Sequence, residues 1–243
     1  MKLVVAFITA LLTSFLLIPA AHADNRADAE KRLMVEEPYE APAGVLFDEA
    51  AYFAGQTALS QYVNVIVINK AAKAQSLRFY TNRQLILTTK VSTGKEDVEY
   101  VNAVSKFLRR FGKGTTVSHW RHTTRGFYTV KRVEGADYRS GESKFQMPYA
   151  MFFNEQKGLA VHQVPPDLKG GEAAGEAALG HRASSGCVRV HKGVIQTIHD
   201  AVVAADRGQI PVLDTRTGAP VLDAGGKVTY DKGYRTIVIV EEY

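Results

Sequence analysis

The sequence Ser184-Ser185-Gly186-Cys187-Val188-Arg189 contains the only cysteine among the 243 residues of the chain. A single cysteine forms no internal disulfide, so its thiol is an inert core residue, a metal ligand or a nucleophile. Gly186 permits unusual backbone conformations and close approach of a substrate, and Arg189 offers a fork of donors for a carboxylate. Serine, glycine and arginine are poor core neighbours. The stretch therefore favours a nucleophilic cysteine.

A histidine follows an apolar segment upstream of this cysteine. Residues 158–162 (Gly-Leu-Ala-Val-His) predict a strand that ends at His162 and holds its ring in one place. An imidazole beside a thiol accepts its proton or stabilises the thiolate, as acyl transfer by a Cys–His pair requires. His162 is therefore the best-placed base. A long loop over 163–180, rich in Gly, Ala, Glu and Pro, separates it from Cys187 and is typical of lids and binding loops.

A zinc site is the alternative for these residues. His119 and His122 form an H-x-x-H pair in a polar turn, and together with His162 and Cys187 they supply residue types that bind zinc. Their spacing matches no familiar metal signature. We therefore predict no metal and no cofactor.

The first 23 residues have the three parts of a secretory signal peptide. Met1-Lys2 is a charged start, residues 3–17 are almost wholly apolar, and Ala21-x-Ala23 ends the segment with small residues. The apolar run is short for a bilayer span, which favours a cleaved signal over a transmembrane anchor. We predict a mature chain that begins near Asp24, has no membrane span and is periplasmic.

The charge and composition of the chain limit the classes of partner that it is expected to bind. The formal net charge is +5, with 46% hydrophobic and 23% charged residues, which is ordinary for a globular protein. A mild positive balance suits an anionic polymer such as a cell wall. No basic run with interleaved aromatic residues occurs, so no nucleic-acid partner is predicted.

Patterning predicts a tether with a short helix over residues 24–60 and one mixed α+β, strand-dominated domain over 61–243. Clusters of β-branched and aromatic residues predict strands at 63–68, 77–80, 85–91, 126–133, 147–153, 158–162, 211–213, 221–223 and 236–240. Apolar residues at helical spacing predict helices at 97–111 and 194–205.

Three segments together resemble the catalytic domain of the YkuD-type L,D-transpeptidases. They are Met147-Pro148-Tyr149-Ala150-Met151-Phe152-Phe153, Ala160-Val161-His162 and the stretch at 184–189. Residues 65–70 through 91–94 are also similar to the first hairpin of that family. The resemblance covers most of residues 62–213 and implies a YkuD-like, β-sandwich-type catalytic domain with a few helices.

The resemblance also implies an activity and its residues. An exported cysteine acyl-transferase would attack peptidoglycan tetrapeptide stems at the L–D bond of meso-diaminopimelate and form a thioester on Cys187. His162 would be the general base, and the backbone carbonyl of Gln163 would orient its ring. Backbone N–H groups of Gly186 and Ser185, with that of Cys187, would form the oxyanion hole.

The family also implies substrate-binding roles for Arg189, Ser184 and Tyr149, yet the chain departs from the family pattern near the site. Ser185 stands where the family usually has histidine, and Gln163 stands where Gly, Ser or Thr usually follows the base. The loop between His162 and Cys187 is longer than usual, which bears on the acceptor.

The acceptor decides the reaction name. An amine acceptor gives transpeptidation, with roles in cell-wall cross-linking, remodelling and cell shape, or attachment of a protein to the wall. Water gives L,D-carboxypeptidase or endopeptidase activity, and a non-catalytic wall-binding module is the remaining alternative. Transpeptidation is favoured by analogy with the family.

Overall fold

The structure is a computed structural model that describes residues 40–103, 115–141 and 144–243. Strands dominate these residues, which confirms the predicted strand-dominated, mixed fold class. The helical elements are α1 (Glu49–Phe53), a 3-10 helix (Ala58–Gln61), α2 (Gly171–Ala177) and α3 (Lys192–Ala204). The strands are β1 (Asn64–Asn69), β2 (Ser76–Thr81), β3 (Gln84–Ser92), β4 (Val98–Ala103), β5 (Thr115–Trp120), β6 (Gly126–Thr129), β7 (Arg132–Val133), β8 (Met151–Asn154), β9 (Leu159–Gln163), β10 (Val188–Val190), β11 (Arg207–Pro211), β12 (Tyr230–Tyr234) and β13 (Thr236–Glu241).

Nine of these strands form one curled sheet in the order β6-β13-β1-β2-β3-β10-β9-β8-β7. Most neighbours are antiparallel, but β1 pairs in parallel with β13, and β9 pairs in parallel with β10. A separate two-stranded sheet joins β11 and β12. Among the described helices, none combines the length and apolar character needed to cross a bilayer.

The hairpin of β2 and β3 turns where the sequence predicts it. Asn82 and Arg83 connect the strands with φ angles of 47° and 61°. Two consecutive left-handed residues are the requirement of a type I′ turn, whose twist matches the twist of the flanking strands. Asparagine tolerates this conformation well.

The centre of the sheet is buried on both faces. In β1, Ile66 and Ile68 enter the main hydrophobic cluster, whereas Val65 and Val67 enter a second cluster on the opposite face. Strand β13 divides its residues in the same way. A strand covered on both faces needs a continuous apolar run rather than an alternating one, which is why Val-Ile-Val-Ile occurs here.

Residues 40–60 pack on this domain through their aromatic residues. Phe47, Tyr52 and Leu59 are buried in the second cluster, where Tyr80 of β2 joins them. The backbone N–H groups of Leu46 and Phe47 donate to the Glu241 carboxylate at 2.9 and 3.1 Å. The short helix expected in this segment is α1.

The predicted helix over 97–111 is wrong where the structure describes it. Residues Val98–Ala103 form β4, which pairs with β5 in a two-stranded sheet, and residues 104–111 lie outside the described residues. The sequence of β4 contains β-branched and aromatic residues that suit a strand as well as a helix. Pairing with β5, the next strand along the chain, decides between them, and local periodicity does not report it.

The loop expected over 163–180 contains the short helix α2. Its sequence of Gly, Glu and Ala carries no apolar stripe, which is why periodicity misses it. Gly175 is buried there, and a Cβ atom would lie 2.4 Å from Cγ1 of Val164. Close packing of the helix on Val164 therefore requires glycine. The predicted strand at 221–223 is also wrong, since only an isolated bridge joins Leu222 to Val228.

Candidate functional site

Two parallel strands bring His162 and Arg189 side by side. In the register of β9 and β10, His162 is the partner of Arg189. Side chains alternate along a strand, so His162 and Arg189 share the face opposite the main core. Cys187, two residues before Arg189, packs against Ala160 on that same face. The main core receives the valines at 161, 188 and 190.

The ring of His162 is buried, with 3% of the residue exposed. Its Nδ1 lies 2.5 Å from the backbone carbonyl oxygen of Gln163. A carbonyl only accepts, so Nδ1 carries a proton that it donates, and the lone pair of the neutral ring lies on Nε2. Burial lowers the pKa of His162 to about 3; the Gln163 carbonyl opposes the shift and the charge of Arg189 adds to it. The ring is therefore neutral at neutral pH.

Gln163 is held on both its backbone and its side chain. Its N–H donates to the Pro148 carbonyl at 3.0 Å, and its side-chain amide donates to Glu172 of α2 at 3.0 Å. These contacts fix the peptide whose carbonyl faces His162. The larger side chain that this chain carries after the histidine is therefore an anchor for α2.

The thiol of Cys187 is partly exposed at the surface of a small apolar cluster. Its Sγ donates to the Gly158 carbonyl at 3.4 Å. The buried members of that cluster are Met147, Ala150, Phe152 and Ala160. A partly exposed thiol on an apolar surface suits a nucleophile that a substrate must reach.

Ser184 organises the residues 184–187, called here the Cys187 turn. Its Oγ accepts the N–H of Gly186 at 3.0 Å and donates to the carbonyl of Cys187. Gly186 has a φ of 132°, and a Cβ atom there would lie 2.9 Å from Leu159 and 3.0 Å from the His122 carbonyl oxygen. Both the backbone conformation and the space therefore require glycine.

The side chain of Arg189 contacts the residue that precedes the Cys187 turn. Its Nη1 donates to the Ala183 carbonyl at 3.3 Å, and its side chain is half-buried. Burial lowers the pKa of Arg189, and the neighbouring Cys187 opposes that shift. The guanidinium thus interacts electrostatically with both His162 and Cys187, which stabilises negative charge on sulfur and disfavours positive charge on the ring.

The remaining two predicted site residues lie differently. Ser185 is exposed at the tip of the turn. The ring of Tyr149 packs on His199 of α3 at 5.1 Å and on the main core, rather than on the face that carries Cys187. The structure therefore brings Cys187, His162, Gln163, Ser184, Gly186 and Arg189 together, and it leaves Tyr149 on the other side of the sheet.

A group of charged side chains close to the Cys187 turn is not predicted from the sequence. It consists of Glu40, Lys70, Glu96, His122 and Glu242, called here the His122 cluster. Lys70 is only 1% exposed, and its Nζ lies 3.2 Å from Glu96 and 3.5 Å from Glu40. These residues come from five separate segments. A lysine after a strand and a histidine before two threonines are the only local signals.

His122 belongs to this cluster and not to a metal site with Cys187. Its two ring nitrogens face the carboxylates of Glu96 and Glu40. The side chain of His119 lies outside what the structure describes. Across the described ranges, no three His, Cys, Asp or Glu side chains are arranged to hold a metal ion.

Comparison with known proteins gives one family and several similar structures. The family described as "YkuD: L,D-transpeptidase catalytic domain" matches residues 63–222. Among curated proteins, none matches the chain. An L,D-transpeptidase structure from Xylanimonas cellulosilytica is similar at 18% identity and a TM-score of 0.42, over 79% of this chain and 68% of that one.

Two further structures are similar over comparable parts of the chain. One is an L,D-transpeptidase from Mycobacterium tuberculosis, at 16% identity and a TM-score of 0.42, over 74% of this chain and 58% of that one. The other is the helical cell shape determining protein Pgp2 from Campylobacter jejuni, at 14% identity and a TM-score of 0.37, over 80% and 55%. This chain therefore spans little more than half the length of either protein. The family match covers most of the chain, and the protein belongs to the YkuD family of L,D-transpeptidase catalytic domains.

Proposed function

We propose that this protein is an exported cysteine acyl-transferase that acts on the tetrapeptide stems of peptidoglycan. Cys187 attacks the carbonyl at the L-centre of meso-diaminopimelate and forms a thioester, and the terminal D-residue leaves. The observation that carries the proposal is the buried, neutral His162, whose Nδ1–H donates to the Gln163 carbonyl. His162 lies on β9, which pairs with β10, the strand that directly follows Cys187. Membership of the family supports the substrate class.

In the proposed reaction, Nε2 of His162 takes the proton of the Cys187 thiol. The thiolate attacks the carbonyl carbon, and the resulting tetrahedral intermediate collapses when the imidazolium returns the proton to the leaving amine. The acceptor amine then attacks the thioester, loses its proton to His162 and restores the thiol. The Gln163 carbonyl supports the imidazolium that forms in each step.

Arg189 and the backbone of the Cys187 turn stabilise the charges of this reaction. Arg189 interacts with Cys187 and lowers the free energy of the thiolate. The proposal assigns the oxyanion role to the backbone N–H groups of Cys187 and Ser185; the N–H of Gly186 donates to Ser184. Gly186 contributes only if Ser184 releases it. Tyr149 has no part in the proposal, since its ring packs on His199.

Export and acceptor complete the proposal. The charged, apolar and small-residue parts of residues 1–23 support secretion with cleavage near Asp24 and a periplasmic location. We assign transpeptidation, with an amine as acceptor. Hydrolysis by the same thioester and a wall-binding module without catalysis are the rival outcomes of the experiment.

The experiment incubates the purified protein and a Cys187→Ala control with tetrapeptide muropeptides and analyses the products by mass spectrometry. A cross-linked dimer that depends on Cys187 supports transpeptidation, whereas tripeptide alone supports carboxypeptidase activity. No product, together with no covalent carbapenem adduct on Cys187, contradicts the enzyme and favours the binding module.

A further inference from the structure

The His122 cluster is a buried ionic network with more groups than an ordinary salt bridge. Lys70 donates to the Thr123 carbonyl at 2.7 Å and lies 3.2 Å from Glu96. Glu242 is 4.0 Å from Lys70 and accepts from Arg125 at 2.7 Å. Arg182, from the segment that leads into the Cys187 turn, also donates to Glu242. Burying so many charges is costly, which points to a purpose other than stability.

His122 cross-links this network. Its Nε2 lies 3.0 Å from Glu40, its Nδ1 contacts Glu96, and Trp120 stacks on the ring at 4.1 Å and 10°. Ionised carboxylates only accept, so both nitrogens donate only when the ring is an imidazolium. Burial lowers the pKa of His122, but the hydrogen bonds to Glu40 and Glu96 more than offset it, and the pKa lies above its usual value.

Thr123 connects the network to the Cys187 turn. Its backbone is held by Lys70 through the carbonyl and by Glu96, which accepts its N–H at 3.2 Å. Its hydroxyl accepts the N–H of Gly94 at 2.8 Å and donates to the carbonyl of Gly186 at 2.6 Å. Thr123 is fully buried. The residue next to the nucleophile is thus hydrogen-bonded to a side chain whose own backbone is fixed by charges.

We propose that Thr123 is a positioning residue for the Cys187 nucleophile, held in place by the His122 cluster. The Gly186 carbonyl sets the orientation of the peptide bond that joins Gly186 to Cys187. Fixing that carbonyl fixes the N–H of Cys187, to which the proposed function assigns the oxyanion role. The inference therefore rests on the proposed function for its catalytic consequence, but not for its effect on the thiol.

The chain supplies a matched control for this proposal in Thr124. Thr123 and Thr124 are adjacent and buried, at 0% and 2% exposure. Within the described residues, the hydroxyl of Thr124 has no hydrogen bond to the Cys187 turn. Replacement of either by valine removes one buried hydroxyl and keeps the shape. A difference between the two variants therefore reports the hydrogen bonds of the Thr123 hydroxyl with Gly186 and Gly94, which Thr124 does not make.

The first experiment measures kcat and KM on tetrapeptide muropeptides for Thr123→Val, Thr123→Ser and Thr124→Val. Misplacement of a reacting group by about 1 Å lowers rates by up to about a hundredfold, so we expect Thr123→Val to lower kcat at least about tenfold with little change in KM. Thr123→Ser keeps the hydroxyl and retains most of kcat, and Thr124→Val is unchanged. Equal losses in Thr123→Val and Thr124→Val overturn the proposal. Thr123→Ala replaces the valine variant if that variant does not fold.

A double variant tests whether His122 acts through Thr123. His122→Gln removes the cross-link and lowers kcat, and adding Thr123→Val to it lowers kcat no further than Thr123→Val alone, because both changes release the same carbonyl. If the loss of kcat in the double variant equals the product of the two single losses, His122 does not act through Thr123 and is a structural residue only.

A second readout separates this inference from the proposed function. Cys187 is the only cysteine, so alkylation of the folded protein by iodoacetamide reports that thiol alone. We expect Thr123→Val to change the pH profile of the alkylation rate, and Thr123→Ser and Thr124→Val to match the parent protein. A parent protein without muropeptide activity refutes the proposed function, whereas identical alkylation profiles in all variants refute the positioning role.

Discussion

Two buried histidines of this protein, His162 and His122, show how their partners decide what a side chain does. His162 faces a carbonyl oxygen and a guanidinium, and burial lowers its pKa to about 3. His122 faces two carboxylates, and its pKa is raised although it is also buried. The first ring is neutral and has a lone pair to accept a proton. The second has carboxylates at both ring nitrogens, which favour its charged form, and it connects the segments that carry them.

This difference assigns the two rings to different tasks within one region. The carbonyl oxygen of His122 adjoins Gly186, one residue before the nucleophile, and His162 lies on the strand beside Cys187. A charged ring in the position of His162 could not accept the thiol proton. A neutral ring in the position of His122 would leave a lone pair facing a carboxylate.

The largest effect is expected for His162→Gln. A positioned general base contributes about a hundredfold to ten-thousandfold, so we expect thioester formation to slow by about a thousandfold. The corresponding change His122→Gln costs far less, because the ring nitrogens of His122 contact the carboxylates of Glu40 and Glu96 and are not assigned to the proton transfer. Rates of acyl-enzyme formation measured by rapid quench give the comparison. Similar losses in both variants would remove the distinction between the two rings.

Lys70→Met tests the charge balance around His122. It leaves buried carboxylates without their ammonium partner, and breaking a buried pair costs about 3–5 kcal/mol. Lys192→Met is the matched control, because Lys192 pairs with Glu172 at 2.9 Å in an exposed position. Loss of that exposed pair costs much less, because solvent screens it. Urea denaturation measures the unfolding free energy of both variants. Equal losses of stability would show that the His122 cluster contributes no more than an exposed ion pair.

The pH dependence of stability should have opposite signs for the two histidines. The folded pKa of His162 is lowered, so its unfolded state binds a proton first, and stability falls as the pH decreases from about 6.5 towards 3. The folded pKa of His122 is raised, so its contribution is complete below about 6.5 and is lost as the pH rises through the folded pKa.

Unfolding free energies measured between pH 4 and 9 test these signs. His162→Gln should reduce the loss of stability on the acid side, and His122→Gln should reduce the loss on the alkaline side. Carboxylates such as Glu40 and Glu96, whose pKa values are lowered, still cause an acid-side loss in both variants. A His122→Gln variant with an unchanged alkaline slope would show that His122 is neutral in the folded protein.

The sequence predicts one of these histidines and misses the other for a physical reason. His162 follows an apolar strand, and Cys187 lies in a short motif of small and polar residues, so local patterns are sufficient to select both. The His122 cluster depends on residues from five segments, and no local pattern connects Glu40 with Glu242. The contact of the Gln163 carbonyl is a backbone contact that any residue could make, so only the family resemblance suggests it.

The same distinction explains the errors in secondary structure. Strand β1 is predicted because a short, continuous run of β-branched residues is typical of a strand that is buried on both faces. The helix expected over 97–111 fails over Val98–Ala103 because pairing with β5 decides its conformation. Tyr149 lies in a segment that resembles the family, yet its left-handed φ of 57° and its contact with His199 direct the ring away from Cys187. Side-chain direction at such a residue depends on a backbone angle that the sequence does not reveal.

The most direct test of the central claim is the intact mass of the protein after brief incubation with a tetrapeptide muropeptide. We expect a mass increase equal to the mass of the muropeptide minus that of the free D-amino acid it releases, located on Cys187 by peptide mapping. The adduct should be absent in Cys187→Ala and strongly reduced in His162→Gln, but still formed in Thr124→Val. An adduct on another residue, or tripeptide product without any need for Cys187, would contradict the account.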